Sequence, residues 1–333
     1  MALMSVPAAW SKFAHRTSAP CMGSMNIANH RLTASSGGAG KTAIYCILCP
    51  SYHGATLVSL LLGNHSRVRS LGDTIPSQPF PVQCGCGAPF DQCEFWQKVA
   101  AIAPDYPGPE LFQTKPHYLP RFNGTIALAL GLLSIRTGIP FPNGAFATSY
   151  GRFLEIWGQQ DDKDIFVDGY KSLTHYLALK ARGFPIKGVI HLIRDPRSFV
   201  ASSKRMRIGV KNAAIGWVRV HRFIQMITSA AGENVIRLRY EDLCVAPEHH
   251  MNALQEWMGL TPEPIIRPVE SSRHWFGNNS MINFDGTIKL RQTWQCELTP
   301  AELTLVQDRT RRLARSLDYF FSTISANGPA MAG

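Results

Sequence analysis

Two short turns in this sequence combine residue types that hold anions. The first is Pro50-Ser51-Tyr52-His53-Gly54-Ala55-Thr56, which follows the apolar run Ala43–Cys49 and leads into the helical LVSLLLGNHS. A glycine in a tight loop at a helix N-terminus lets successive backbone N–H groups converge on one anion, and the helix dipole favours negative charge there. Thr56 adds a hydroxyl. The Walker pattern GxxxxGK[ST] is not met, because no lysine precedes Thr56. The second turn is Arg194-Asp195-Pro196-Arg197, with Ser202 eight residues after Arg194. It follows the apolar run Val189–Ile193. Asp195 is placed to cap the next helix, and Pro196 suits that helix's first position. An arginine at the C-terminal end of a parallel strand stands where ligands bind in α/β sheets, and its planar fork suits a phosphate dianion. A salt bridge from Arg194 to Asp195 or Glu241 is the alternative.

A third group of reactive side chains lies in QCGCGAPFDQCEFW, where Cys84, Cys86 and Cys93 stand close together. Three thiols supply three of zinc's four ligands. No fourth ligand is evident, and the CxC spacing differs from the usual CxxC knuckle, so structural thiols on a glycine-rich loop are the first expectation and a zinc site the alternative left open. Eight cysteines in 333 residues is too few for a disulfide scaffold. With no compact export signal, the thiols read as reduced and the protein as cytoplasmic.

The elements that must position these turns are short. Ala43–Cys49, Ile165–Val167, Val189–Ile193 and Val235–Leu238 are rich in Ile and Val and do not alternate, which suits strands buried on both faces of a parallel sheet. Helical patterns lie between them at Ala55–Asn64, Ser172–Arg182, Ala213–Ala231 and Pro247–Met258. In Ala213–Ala231 the apolar stripe is Trp217, Val220, Phe223 and Ile227. Thr299-Pro300-Ala301-Glu302 reads as a capping box opening a helix to about Leu317. Alternating strands and helices imply a parallel α/β sheet with right-handed crossovers. The Pro- and Gly-rich stretch 78–143 breaks the alternation and reads as an insertion, with Ile126–Ile135 as a buried helix.

Composition bounds the function. The chain carries 34 Lys+Arg against 23 Asp+Glu, a formal +11, and is 45% hydrophobic, so a substantial core is available and global disorder is excluded. The first acidic residue is Asp73; Lys12, Arg16, Arg31, Lys41, Arg67 and Arg69 precede it. A basic balance suits anionic partners. No apolar run reaches the ~18–20 residues that span a bilayer. Residues 1–41 read as a disordered leader, 42–321 as the α/β domain and 322–333 as a flexible tail. No nucleic-acid-binding signature is present.

Taken together, the two turns resemble those of the sulfotransferases that use 3′-phosphoadenosine 5′-phosphosulfate (PAPS), in their bacterial form. In that family a loop of the form (R/K)SG(S/T)T grips the 5′-phosphosulfate, and an RDPR turn with a serine eight residues after its arginine grips the 3′-phosphate. Gly54-Ala55-Thr56 and Arg194 with Ser202 match those parts. Val167-Asp168-Gly169-Tyr170-Lys171-Ser172 resembles a VDSSK run. Arg239-Tyr240-Glu241-Asp242-Leu243 resembles RYEDL, whose tyrosine contacts adenine. Gly277-Asn278-Asn279-Ser280-Met281 resembles a GNPMR turn, and the cysteine run has a bacterial counterpart. The likeness covers about 43–315. It implies an α/β, P-loop-NTPase-like three-layer fold with a central parallel sheet flanked by helices. It also implies sulfuryl transfer from PAPS, as cosubstrate, to a hydroxyl or amine of a small-molecule, glycan or lipid acceptor, with no metal required.

The family's first-loop cation is missing: Tyr52 takes its position and His53 the next. A protonated His53, Lys171, or Lys289 or Arg291 from the C-terminal segment are the available replacements, and Lys171, at a strand end, is favoured. Losing a charged donor with no replacement costs about 3–4 kcal/mol of transition-state stabilisation. Asp73, twenty-one residues beyond Tyr52 in VRSLGDT, is the candidate base by likeness to VRCGEET of tyrosylprotein sulfotransferases. Two other functions stay open: a small-molecule kinase, disfavoured by the missing Walker lysine and Mg²⁺ carboxylate, and a weakened relative that binds a nucleotide without turnover.

Overall fold

The computed structural model describes residues 42–72, 84–89, 92–102, 124–137, 150–151, 154–155, 162–265, 274 and 287–321. The expected leader and tail fall outside these residues, as do Asp73 and Gly277–Met281.

Five strands form one all-parallel sheet: β1 Ala43–Leu48, β2 Val68–Ser70, β3 Ile165–Lys171, β4 Ile186–Ile193 and β5 Val235–Arg239, in the order β2-β3-β1-β4-β5. Each expected strand is present. The three-residue β2, whose central Arg69 is buried, adds an edge that a search for apolar runs does not find. The unbroken apolar run of β1 follows from its central place. Ile44, Cys46 and Leu48 pack on one face of the sheet, while Tyr45, Ile47 and Cys49 pack on the other.

The helices are α1 Ala55–Leu62, α2 Glu94–Ile102, α3 Gly124–Thr137, α4 Leu173–Ala181, α5 Pro196–Arg205, α6 Val210–Ala230, α7 Tyr240–Val245, α8 Pro247–Trp257, α9 Trp294–Glu297 and α10 Pro300–Arg315. Helices α4 and α6 cover the Ile44 face together with Cys84, Cys93 and Trp96, and α1, α7 and α8 cover the Tyr45 face. A third cluster joins α5, α6 and α10 around Trp217. The sheet and its helical layers are the α/β architecture expected.

Local signals set the ends as read. Ser172 caps α4, Asp195 caps α5 ahead of Pro196, and Thr299 with Glu302 closes a reciprocal box on α10. Two details differ. Helix α6 buries Ala213, Ala214, Trp217, His221, Ile224, Ile227 and Thr228, leaving Val220 and Phe223 only partly covered. Two small residues and a histidine had masked the true stripe. In the C-terminal part of α3, from 129 on, one side is buried and the other is not: Gly131 abuts the Leu177 side chain of α4, while Leu133 is 54% exposed.

Strand order reverses at β1, whose neighbours are β3 and β4. The crevice outside the carboxyl ends of β1 and β4 is therefore the switch point where ligands bind in such sheets.

Candidate functional site

Both candidate turns open into that crevice. After β1 the chain turns through Tyr52, φ 64°, and Gly54, φ 89°, into α1. The first intrahelical bond runs from the Val58 amide to the Gly54 carbonyl at 3.1 Å, which leaves the preceding amides, Ala55 to Leu57, at the open end of the helix. Gly54 is required twice over. Its backbone is left-handed, and a Cβ there would lie 2.5 Å from Cδ2 and Cε2 of Tyr240.

Tyr240 opens α7 and lays its ring on this turn. Burial raises its hydroxyl pKa to about 12, so the ring stays neutral. The Arg194 guanidinium lies over the same ring, 4.7 Å from its centroid, and donates from Nη1 to the Tyr52 carbonyl at 2.6 Å. Trp217 Nε1 donates to the Arg194 carbonyl at 3.0 Å, fixing the backbone from α6. The salt bridge that could have claimed Arg194 is made by Arg197, whose Nη2 is 2.6 Å from Asp195. Glu241 accepts from the Asp195 amide at 3.0 Å and from the Tyr319 hydroxyl at 2.5 Å. Arg194 Nε is buried with no hydrogen-bond partner among the described residues, an unmet donor inside the crevice.

Lys171 ends β3 directly beside Leu48 of β1, in a left-handed conformation of φ 69°. Tyr52 and Lys171 are thus two non-glycine residues with positive φ at the same end of the sheet, and strain of this kind gathers at functional sites. Both Lys171 and Arg194 lie close enough to His53 to oppose its protonation.

His53 itself corrects one expectation. Its side chain is fully buried, and burial first, then the nearby Arg194, His191 and Lys171, lower its pKa to about 3. It is therefore neutral, with both ring nitrogens engaged by Ser51 and His221. His53 Nδ1 is 3.0 Å from the Ser51 carbonyl, His53 Nε2 is 3.1 Å from His221 Nε2, and His221 Nδ1 is 2.8 Å from His191 Nε2. Only one proton arrangement satisfies all three contacts. The Ser51 carbonyl can only accept, so His53 donates to it from Nδ1. His221 then donates to His53, and His191 to His221. Three neutral rings and three protons make a one-way chain that braces the loop. Burial likewise lowers His191 to about 4 and His221 well below the ordinary histidine value. Neither ring stood out in the sequence, where a histidine inside an apolar stripe reads as core.

Ser202 is 7% exposed on α5, and its hydroxyl accepts from Arg205 Nη2 at 2.9 Å. Arg205, one turn on, also pairs with Glu297. It is a second cation at the serine that the motif reading missed, and its i+3 spacing from Ser202 was the available signal. Thr56 is buried at the first turn of α1. Lys289 and Arg291 are exposed beyond the partly buried Ile288. Asp73 lies outside the described residues, directly after Gly72. Among the described residues no helix is long and apolar enough to cross a membrane.

Residues 143–264 match the model described as a sulfotransferase family. No curated protein matches the chain. Among solved structures, the sulfotransferase domain of the Synechococcus olefin synthase aligns at 17% identity with a TM-score of 0.52, covering 84% of this chain and 96% of that one. A sulfotransferase domain from the curacin biosynthetic pathway aligns at 17% identity and TM-score 0.47, covering 85% and 99%. A Mycobacterium tuberculosis sulfotransferase aligns at 16% identity and TM-score 0.39, covering 81% and 76%. The family resemblance drawn from the motifs is thus met by the family match, and the fold is that of the Synechococcus domain.

Proposed function

We propose that this protein transfers a sulfuryl group from PAPS to a hydroxyl or amine of a small-molecule, glycan or lipid acceptor. The observation that carries the proposal is the convergence on one crevice of the Gly54 turn, Arg194 with its unmet Nε donor, the Tyr240 ring and Lys171.

In this reading the amides of 54–56 and the Thr56 hydroxyl hold the 5′-phosphosulfate, with Tyr52 and His53 shaping the loop. Arg194 and Ser202, with Arg205, take the 3′-phosphate, and Tyr240 contacts the adenine. The acceptor oxygen or nitrogen attacks sulfur in line. The bond from sulfur to the bridging oxygen breaks, the electron pair stays on the departing 3′,5′-ADP, and the acceptor's proton passes to a base. We assign that base to Asp73. Lys171 neutralises charge growing on the bridging oxygen, the work of the missing loop cation. The burial of His53, which lowers its pKa, favours Lys171 over it.

Calorimetric titration of 3′,5′-ADP, 5′-AMP and ATP against wild type and Arg194→Ala tests the reading. We expect 3′,5′-ADP to bind tightest, and Arg194→Ala to weaken it about 10–100-fold, the worth of a charge-assisted hydrogen bond. No preference for the 3′-phosphate would refute the PAPS assignment. Transfer of labelled sulfate by wild type but not by Lys171→Ala would locate the cation; binding without transfer in wild type would instead make this a nucleotide-binding relative.

A further inference from the structure

The cysteine run gains in the folded chain the ligand it lacked in the sequence. Cys84, Cys86 and Cys93 are joined by His274, and the four donor atoms lie within 4.8 Å of one another. Cys86 Sγ is 3.8 Å from Cys93 Sγ, and His274 Nδ1 is 3.2 Å from Cys93 Sγ and 3.7 Å from Cys84 Sγ. Around a tetrahedral Zn²⁺, with Zn–S about 2.3 Å and Zn–N about 2.0–2.1 Å, neighbouring sulfurs stand about 3.8 Å apart and sulfur and nitrogen about 3.5 Å apart. The observed spacings scatter around those values.

The surroundings are built for this geometry. The chain from Cys84 to Ala88 closes a tight turn, with the Cys84 amide donating to the Ala88 carbonyl at 2.9 Å and the Gly87 amide to the Cys84 carbonyl at 2.8 Å. Backbone amides are also turned on the sulfurs, that of Cys86 on Cys84 and that of Trp96 on Cys93. Such donors stabilise a thiolate. Phe95 stacks on the His274 ring, centroids 4.9 Å apart and planes 14° from parallel, which presents Nδ1 to the sulfurs. A thiol is a weak hydrogen-bond donor. S–H contacts alone give little reason for donors from three separate stretches of chain to close on one point.

We propose that Cys84, Cys86, Cys93 and His274 bind one zinc ion, a structural site with all four positions taken by protein. Three thiols release their protons to solvent on binding, and the metal bears the charge of the three thiolates. Soft thiolates and one imidazole in a tetrahedron favour zinc over magnesium or calcium. The ion ties the turn at Cys84 to a residue 190 positions later in the chain. It also anchors α2, which begins directly after Cys93 and inserts Trp96, 3% exposed, into the core beneath β1 and β3. The site answers the question that the cysteine run left open in the sequence, with His274 as the fourth ligand. It is a staple on the Ile44 face of the sheet and takes no part in sulfuryl transfer.

The test uses the full chain, purified reduced and without chelator. Mass-spectrometric metal analysis should find about one zinc per chain. Cobalt titrated into the chelator-treated protein should give the visible bands of tetrahedral thiolate coordination, and zinc, but not magnesium, should restore the melting temperature lost on chelation. Cys93→Ser and His274→Ala should each lose the stoichiometric ion. Should Cys93→Ser fail to fold, the wild-type cobalt spectrum decides. A zinc-free protein with no cobalt spectrum overturns the proposal. So does zinc retained by both variants, or a Cys86–Cys93 disulfide in a parallel preparation made without reductant, seen as the loss of two hydrogens in the intact mass.

Discussion

The turns at Gly54 and Gly87 share almost the same φ, 89° and 88°, in opposite surroundings. A Cβ on Gly54 would strike the Tyr240 ring at 2.5 Å, whereas one on Gly87 would meet nothing within 4 Å among the described residues beyond its chain neighbours. The first turn is held by tertiary packing: Tyr240 above it, Arg194 on its carbonyl, and the histidine chain behind. The second is held by its own hydrogen bonds and, in our proposal, by metal. Histidine serves the two turns differently. At the first, each ring nitrogen used in the chain faces another hydrogen-bonding group, so the rings are consumed by one another. At the second, a single imidazole nitrogen faces sulfurs. The difference teaches that proximity of ligand-type residues does not define a metal site; convergence of the donor atoms does.

Acid should separate the two regions most sharply. His53 and His191 fold with pKa values lowered to about 3 and about 4, against about 6.5 in the unfolded chain. The unfolded state therefore binds more protons below pH 6.5. The stability these groups contribute is complete above that pH and is lost as pH falls towards the folded values. From pH 6.5 to 5 each loses about 1.6 kcal/mol, at most about 3 kcal/mol together, because the rings are joined through His221 and do not titrate independently. Urea midpoints of chelator-treated protein at pH 7.5, 6 and 5 isolate the chain from metal release. A flat profile would mean that the rings are solvated or already charged. Chelation at pH 7.5 should, conversely, leave the histidine chain untouched.

Gly54→Ala comes next. The left-handed backbone and the ring above it together should lower stability by about 3 kcal/mol. Because Tyr240 must move, 3′,5′-ADP affinity should fall along with stability while zinc content stays constant. Calorimetry and metal analysis on the one variant check both halves. Unchanged nucleotide affinity would dissociate the turn from the crevice we assign to it.

What could be read beforehand follows the range of the interactions. Asp195 and the Thr299 box are local, and their caps were legible within four residues. Strand β1 was legible because burial on both faces leaves an unbroken apolar run. His274 was not, because it lies 190 residues from Cys84 and has no periodicity to betray it. The neutrality of His53 was also hidden, since it depends on where the ring points and not on its neighbours in sequence. Arg194 was nominated by its motif, but its freedom from Asp195 required seeing that Arg197 takes that carboxylate.

Gly87→Ala should have the smallest effect and sharpens the comparison most cleanly. Alanine at φ 88° pays only the backbone penalty, about 1–2 kcal/mol, because the space around it is open. The melting temperature should fall modestly, and nucleotide affinity should not change. Zinc should remain stoichiometric, because the added methyl group meets neither Cys84 nor Cys93 within 4 Å and the turn's hydrogen bonds survive. If Gly87→Ala instead damages the protein as much as Gly54→Ala, the second turn is held by packing after all, and the contrast between a turn fixed by its neighbours and one fixed by its own bonds fails.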